Sequence, residues 1–469
     1  MNLTELLDKT ASRWPKKPAL IEGSTVVSYA EIVEKADALA SKLETFKLSP
    51  GSRVGLCCPN SVAYVALTFA LWRIKAVVVP IPMECTEEES SNIAEAMRLE
   101  AIISQKSREK SLPFASDFFF TKLSPALPPE NHGLNIAFIR FTSGTTSARK
   151  GVVLCHETIR DRVIASNKLL RISADDTVMW CLPMSHHFLV TIVLYVSVGA
   201  TIVLARHVLA RPFLEAINHW QGTVLYAAPF HYAMLARDKS EMKFPSVRLA
   251  VSTTCALPQD VAEDFFKRFG LPLTQALGLI ELGLPCINVD DAADRWNSVG
   301  RAQPDYSVHI RNPDGDGFGE VVISGPGFFD AYDNPWTPRE QLMPDGWFVT
   351  GDIGRIDKEG YLFLVGRKAA AINVAGRKVF AEEIETVLNR HPAVRESRVF
   401  GVAHPHLGET VEAEVVLHGK ITPDALRDFC RAHLSSEKIP SRISIVQNIP
   451  RTAVTGKIRR QPAPVTTAA

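Results

Sequence analysis

From about residue 28 to about residue 281 the chain alternates segments of helical apolar spacing with short runs rich in Val and Ile. That alternation restricts the fold more than any single motif does, because it demands parallel-type sheets covered by helices. Ser28 to Leu43 carries apolar residues at helical spacing. SRVGLCCPN reads as a strand closing in a Pro-Asn turn, SVAYVALTFALWRI as a helix and AVVVPIP as a strand. AEAMRLE followed by AIIS repeats the order, and Ile136 to Phe141 is a further apolar strand. Residues 106–132 are poor in pattern and rich in Pro, Ser and Lys, so they read as loop. Beyond Glu281 the runs shorten. YSVHIRNPDGDGFGEVVISG places a turn cluster between two strands, and its GDGFG opens no helix, so it reads as a hairpin connection rather than a dinucleotide loop.

A chain of 469 residues is too long for one core, so at least two domains are expected. Near GYLFLVGRKAAAINVAGRKVF the pattern changes again. EEIETVLNRH then reads as a helix, SRVFGVAH and ETVEAEVVLHG as strands, and TPDALRDFCRAHLSS as a helix with a Thr cap and Pro in its first turn. The expectation is α/β: a large N-terminal domain of residues 1–367 and a small α+β domain of residues 368–469.

A net charge of +1 argues against a nucleic-acid partner held by bulk electrostatics. Eight Cys with no C-x-x-C spacing read as reduced thiols in a cytoplasmic protein. The first residues lack the basic and apolar regions of a secretory signal. Phe188 to Ala205 has no charge, but Gly199 interrupts it and β-branched residues fill its second half. A buried helix followed by a buried strand is expected there, not a transmembrane segment. Val62 to Met83 carries Arg73 and Lys75 in its middle, which is costly in lipid.

FTSGTTSARKG, residues 141–151, follows the strand ending at Phe141. Thr142, Ser143, Gly144, Thr145 and Thr146 offer backbone N–H groups and hydroxyls in close succession, Gly144 permits positive φ, and Lys150 adds a mobile charge. These are the parts of an anion nest. They are also the composition of a surface turn, and the residues alone leave both readings open.

TSGTTSARKG resembles the [ST]-S-G-[TS]-T-G-x-P-K-G loop of the adenylate-forming enzymes, a superfamily of acyl-CoA synthetases, peptide-synthetase adenylation domains and luciferases. Further segments resemble that superfamily in the expected order. They are GSRVGLCCPNSVAYVALTFALWRIKAVVVPIP, CLPMSHH, LTQALGLIE, WFVTGDIGRIDKEGYLFLVGRK and PRTAVTGKIRR, and together they span nearly the whole chain. The resemblance implies ATP-dependent activation of a carboxylic acid to acyl-AMP, then transfer to a phosphopantetheine thiol, with ATP, Mg2+ and CoA taking part. It implies that the loop and Lys150 hold the β- and γ-phosphates, that Gly278 lies at the nucleotide and that Glu281 helps hold Mg2+. Asp352 would accept the ribose hydroxyls, with Arg367 at ribose and phosphate. Lys457 would bridge the carboxylate and the α-phosphate, a task suited to one flexible ammonium. His186, Thr254 and Ala256 would line the acyl pocket, and Gly376 the thiol tunnel. Ala369 would be the hinge of a mobile C-terminal domain.

Each residue has a plainer reading from its own surroundings: a surface carboxylate for Glu281, a turn Asp for Asp352, a solvated charge for Arg367, a core histidine for His186. Leu277, Ile280 and Ala369 depart from the motif, which usually has an aromatic, a Thr and a charged residue there. Loss of the aromatic is expected to weaken ATP binding by about 1 kcal/mol. An acyl-CoA ligase acting on a fatty or aryl acid is the reading carried forward. The alternatives are an enzyme that loads a carrier protein and a degenerate scaffold of the same fold.

Overall fold

The computed structural model describes residues 1–107, 110–115, 117–125, 127–141, 150–205, 209–375, 377–405 and 408–450. The chain packs as two compact units. The first holds residues 1–257, 261–307 and 324–348, and the second holds residues 258–260, 308–323 and those from 349 onward.

The first unit contains, among the described residues, two nine-stranded sheets. One runs in the order Arg301–Ala302, Gly283–Ile287, Thr274–Leu279, Leu249–Ser252, Val224–Ala227, Thr177–Trp180, Thr201–Leu204, Pro18–Glu22, Thr25–Ser28. Its interior pairs are parallel, and its edges close in antiparallel hairpins. The other runs Thr337–Pro338, Ala331–Asp333, Gly151–Cys155, Ile136–Phe141, Val77–Pro80, Arg53–Cys57, Ala101–Ser104, Phe118–Lys122, Leu112–Ala115. The sheets are thus mixed, with the parallel core that helix–strand alternation demands and antiparallel margins that it does not encode.

Local chemistry explains the main elements. Ser28 and Glu31 form a capping box at the start of helix Tyr29–Glu44. Helix Val62–Arg73 is buried over most of its surface, from Val62 to Trp72, as a helix apolar on nearly every side must be. The uncharged stretch becomes helix Ile192–Val198, a left-handed Gly199 and strand Thr201–Leu204. A Cβ on Gly199 would sit 2.5 Å from the Trp14 ring, so only glycine fits this φ and this approach. Among the described residues no helix is long and apolar enough to cross a membrane.

Residues 106–132 correct the loop expectation. Leu112–Ala115 and Phe118–Lys122 are strands at the sheet edge, the second paired antiparallel with Ala101–Ser104. Phe120 is buried and stacks on Phe46 at 4.0 Å. Tertiary packing of three consecutive Phe overrides the surrounding Pro, Ser and Lys.

The second unit has a four-stranded sheet, Ser307–Arg311, Gly319–Ser324, Phe348–Ile356, Leu362–Arg367, and a five-stranded one built on the long hairpin of Val394–His404 with Gly408–Leu417. Ile384 and Leu388 from helix Ala381–Asn389 and Leu426 and Cys430 from helix Pro423–His433 pack on Val399, Val411 and Val415. Thr422 caps the latter helix by accepting from the Ala425 N–H at 3.2 Å. Within this unit Arg367 ends a strand in register with Asp352.

One buried ion pair ties distant strands of the first unit. Arg53, 1 % exposed, donates to both oxygens of Asp333 at 2.8 and 3.3 Å and to the carbonyls of Met97 and Glu130. Strand Ala331–Asp333 is thereby fixed where it meets Gly151–Cys155. Asp333→Ala leaves a buried guanidinium uncompensated and is expected to cost about 3–5 kcal/mol. Urea unfolding of both proteins measures it, and an unchanged midpoint would remove the pair from this account.

Candidate active site

The site begins at a hairpin tip. Strands Thr274–Leu279 and Gly283–Ile287 are joined by Ile280, Glu281 and Leu282, whose carbonyls lie outside the regular ladder. Arg162, on helix His156–Leu170, is fully buried behind that tip. Its guanidinium donates to Ile280 O at 2.9 Å, Glu281 O at 3.3 Å and Gly327 O at 2.7 Å. Phe329 N–H also donates to Glu281 O, at 2.8 Å, and Tyr306 Oη to Leu282 O, at 3.2 Å. Burial pulls the Arg162 pKa down to about 10, so the group stays charged near neutral pH. Gly327 has φ +67° and a Cβ there would lie 2.6 Å from Arg162, so glycine is required.

The clamp aims the Glu281 side chain. Its Oε1 accepts from Tyr332 Oη at 3.1 Å. Tyr332 lies opposite Val152, next to the pairing of Asp333 with Gly151, which brings the ring beside Lys150. The Lys150 ammonium sits 5.0 Å from the centre of the Tyr332 ring. Glu281 and Lys150, far apart in sequence, are thus gathered around one tyrosine that sequence reading did not single out. Arg140, near the end of strand Ile136–Phe141, lies close enough to Glu281 to feel its charge. Burial pulls the Arg140 pKa down to about 10, and the negative charge of Glu281 opposes that shift.

His186 belongs to a short helix, Met184–His187. Asn60 pins its start, donating to Leu182 O and accepting from Met184 N–H, both at 2.8 Å. Arg140 reaches this helix too, with Nη2 3.0 Å from His186 Nδ1 and Nη1 donating to the His186 carbonyl. Ser252 to Ala256 leave the end of a strand parallel to Thr274–Leu279. Thr254 (φ +80°) and Ala256 are exposed, and Gly278 faces the neighbouring Thr253. Leu277 is buried at 8 % exposure and Ile280 is half-buried.

In the second unit Asp352 and Arg367 are direct partners. Arg367 Nε lies 2.6 Å from Asp352 Oδ1, and Nη1 donates to Thr350 O at 3.3 Å. The Asp352 carboxylate is mostly buried while Arg367 is exposed, so a carboxylate and a cation are held together at a surface. Thr142, Ser143, Gly144, Thr145, Thr146, Gly376 and Lys457 lie outside the described residues. Ala369 begins no strand of its own; its backbone forms one turn of 3-10 helix, Lys368–Ala370.

The chain matches the model of the AMP-binding enzyme family over residues 7–333 and that of the AMP-binding enzyme C-terminal domain over residues 383–457. A probable CoA ligase of Humulus lupulus is 28 % identical to it over 98 % of this chain and 95 % of the relative. An oxalate–CoA ligase of Arabidopsis thaliana is 28 % identical over 98 % and 97 %. The o-succinylbenzoate CoA synthetase of Bacillus subtilis, solved with its acyl-adenylate intermediate, superposes with a TM-score of 0.84 at 22 % identity, covering 97 % of this chain and 96 % of that one. That last likeness is one of fold.

Removing the clamp tests how the tip is built. Arg162→Met strips a charged donor from three buried carbonyls and is expected to cost about 3 kcal/mol. Arg162→Lys keeps the charge without the fork and should recover only part of that loss. Equal urea midpoints for all three proteins would mean that water, not Arg162, satisfies these carbonyls.

Proposed function

The chain belongs to the AMP-binding enzyme family, and from that premise we propose that it is an AMP-forming acid–CoA ligase. In the first step a carboxylate oxygen of the acid attacks the α-phosphorus of ATP. The bond to the β-phosphate oxygen breaks, and pyrophosphate leaves. In the second step the sulfur of coenzyme A attacks the acyl carbon, and AMP leaves with the bonding electrons while the thiol proton passes to solvent. Neither step requires a protein nucleophile, so the work falls on groups that neutralise and position phosphate.

The observation that carries the reading is the gathering of Lys150 and Glu281 around Tyr332 immediately after the Thr- and Ser-rich loop. In this reading Lys150 and residues Thr142 to Thr146 attend the β- and γ-phosphates. Asp352 takes the ribose hydroxyls, since an ionised carboxylate accepts two donors at once. Arg367, already paired with it, lies beside ribose and phosphate. Lys457 bridges the acid and the α-phosphate, and the match to the C-terminal family model extends as far as that residue. His186, Thr254, Ala256 and Gly278 bound the acid and nucleotide. Ala369 is the pivot, and Gly376 lines the thiol path.

Mg2+ fits the residues present. A Mg2+ ion that arrives with substrate phosphates needs only one protein carboxylate, because phosphate oxygens and water fill its other positions. Glu281 is that carboxylate, with the Tyr332 bond on Oε1 leaving Oε2 as a hard oxygen donor. The cation would offset negative charge on the phosphates. Eight free cysteines suit a reducing cytoplasm. The apolar run that follows His186, beginning with the buried Phe188 and Leu189, favours a fatty or aryl acid.

The decisive assay is acid-dependent pyrophosphate release from ATP and Mg2+ with a panel of acids, followed by thioester formation with CoA or a holo carrier protein. Release with one acid class and a CoA-dependent thioester is the expected outcome. A thioester on the carrier alone would make this a loading enzyme, and ATP binding without release from any acid would make it a scaffold. Lys457→Ala is expected to abolish acyl-AMP formation while supplied acyl-AMP is still converted to thioester. Loss of both half-reactions, or of neither, would refute the role given to Lys457.

A further inference from the structure

Arg140 is a charged residue inside an otherwise apolar strand, IAFIRF, and nothing in the proposed reaction employs it. The cost of drawing a guanidinium out of water must be offset by what it holds. It holds His186 twice, through the backbone carbonyl and through Nδ1 at 3.0 Å. Its Nε is buried with no hydrogen-bond partner, and the nearby Tyr64 hydroxyl is in the same condition. Glu281 supplies negative charge that favours the charged guanidinium.

A guanidinium has five N–H donors and no acceptor. A contact of 3.0 Å between Nη2 and Nδ1 is therefore a bond in one direction only: Nδ1 accepts. A neutral imidazole that accepts at Nδ1 carries its proton on Nε2. The carbonyl contact restrains the helix backbone at the same residue, so ring position and ring protonation are set by one fork.

We propose that Arg140 is a positioning residue that holds His186 as the neutral Nε2–H tautomer, presenting an N–H donor rather than a lone pair on the ring's far side. Its effect on acid binding rests on the reading of His186 as part of the acyl pocket; the tautomer itself does not.

The test is long-range proton–nitrogen NMR of the uniformly 15N-labelled protein near neutral pH, with His186 assigned by its disappearance in His186→Ala. The wild-type spectrum should carry the Nε2–H signature. In Arg140→Met, which removes every donor, the signature should give way to a mixture of tautomers. Arg140→Gln, whose uncharged amide NH2 can still donate to Nδ1, should restore it. A companion assay should find KM for the acid raised roughly tenfold in Arg140→Met, KM for ATP unchanged, and partial rescue in Arg140→Gln.

An Nδ1–H tautomer or an imidazolium in the wild-type protein overturns the proposal without need of any variant, so poor folding of Arg140→Met leaves it testable. An unchanged Nε2–H signature in a folded Arg140→Met overturns it as well. A tautomer that shifts while KM for the acid stays at the wild-type value upholds the role of Arg140 and removes His186 from the acyl pocket.

Discussion

The geometry of the site depends on one buried guanidinium. A strand-to-strand tip is irregular, its carbonyls are not used by the sheet, and in a dry interior each would cost a lost hydrogen bond. Water is the usual remedy, but water would leave the tip free to move. Arg162 satisfies the carbonyls of Ile280, Glu281 and Gly327 with a planar fork whose angles are fixed. The Glu281 backbone is thereby held by a second element of the fold, and Tyr332 then orients its carboxylate. Lys150 comes to the same tyrosine because the Ala331–Asp333 strand is pinned by Arg53. Two buried arginines thus place a carboxylate and an ammonium that the chain itself separates widely.

How much of this was readable follows from range. The helix over Ser28 to Leu43, the helix and strand around Gly199 and the Thr422-capped helix were legible because period and capping are local properties. The strands Leu112–Ala115 and Phe118–Lys122 were not, since their pairing with Ala101–Ser104 and the Phe46 stack decide them. Lys150, Glu281, Asp352 and Arg367 were singled out by motif resemblance, but the contacts of Lys150 and Glu281 with Tyr332 were not readable from it. Tyr332, Arg140 and Arg162 act through tertiary contacts. For the two arginines a signal did exist: a charge at an inward position of an apolar strand or helix is costly and marks something that it must hold.

In the set Arg140, Glu281, Lys150 and Tyr332, the ammonium lies over the tyrosine ring, the carboxylate accepts from its hydroxyl, and the charge of Glu281 favours the charged Arg140. Such an arrangement resists collapse before ligand arrives, because no cation is left against another cation without an anion or ring nearby. In the proposed reaction it also means that phosphate meets Lys150 already placed beside Tyr332, so little reorganisation accompanies the transfer. The Asp352 and Arg367 pair in the second unit is built on the same principle, with the carboxylate buried and its cation at the surface.

The same energetics bear on whether the site is still used. Leu277, Ile280 and Ala369 replace polar or aromatic residues of the motif with aliphatic ones, and Leu277 simply packs into the interior. Substitutions of this kind are easily accommodated, since buried apolar residues stabilise a core regardless of function. Arg140 and Glu281 are different. Replacing a buried or half-buried ionic set by well-packed apolar residues is often neutral or stabilising by about 1–4 kcal/mol. A scaffold that no longer bound its substrates would have nothing to lose by that exchange, whereas an enzyme of the proposed kind would lose the carboxylate assigned to Mg2+ and the guanidinium that holds His186. The pattern in this chain, aliphatic where contact alone is at stake and ionic where buried charges hold one another, is the one expected if the proposed reaction is still carried out.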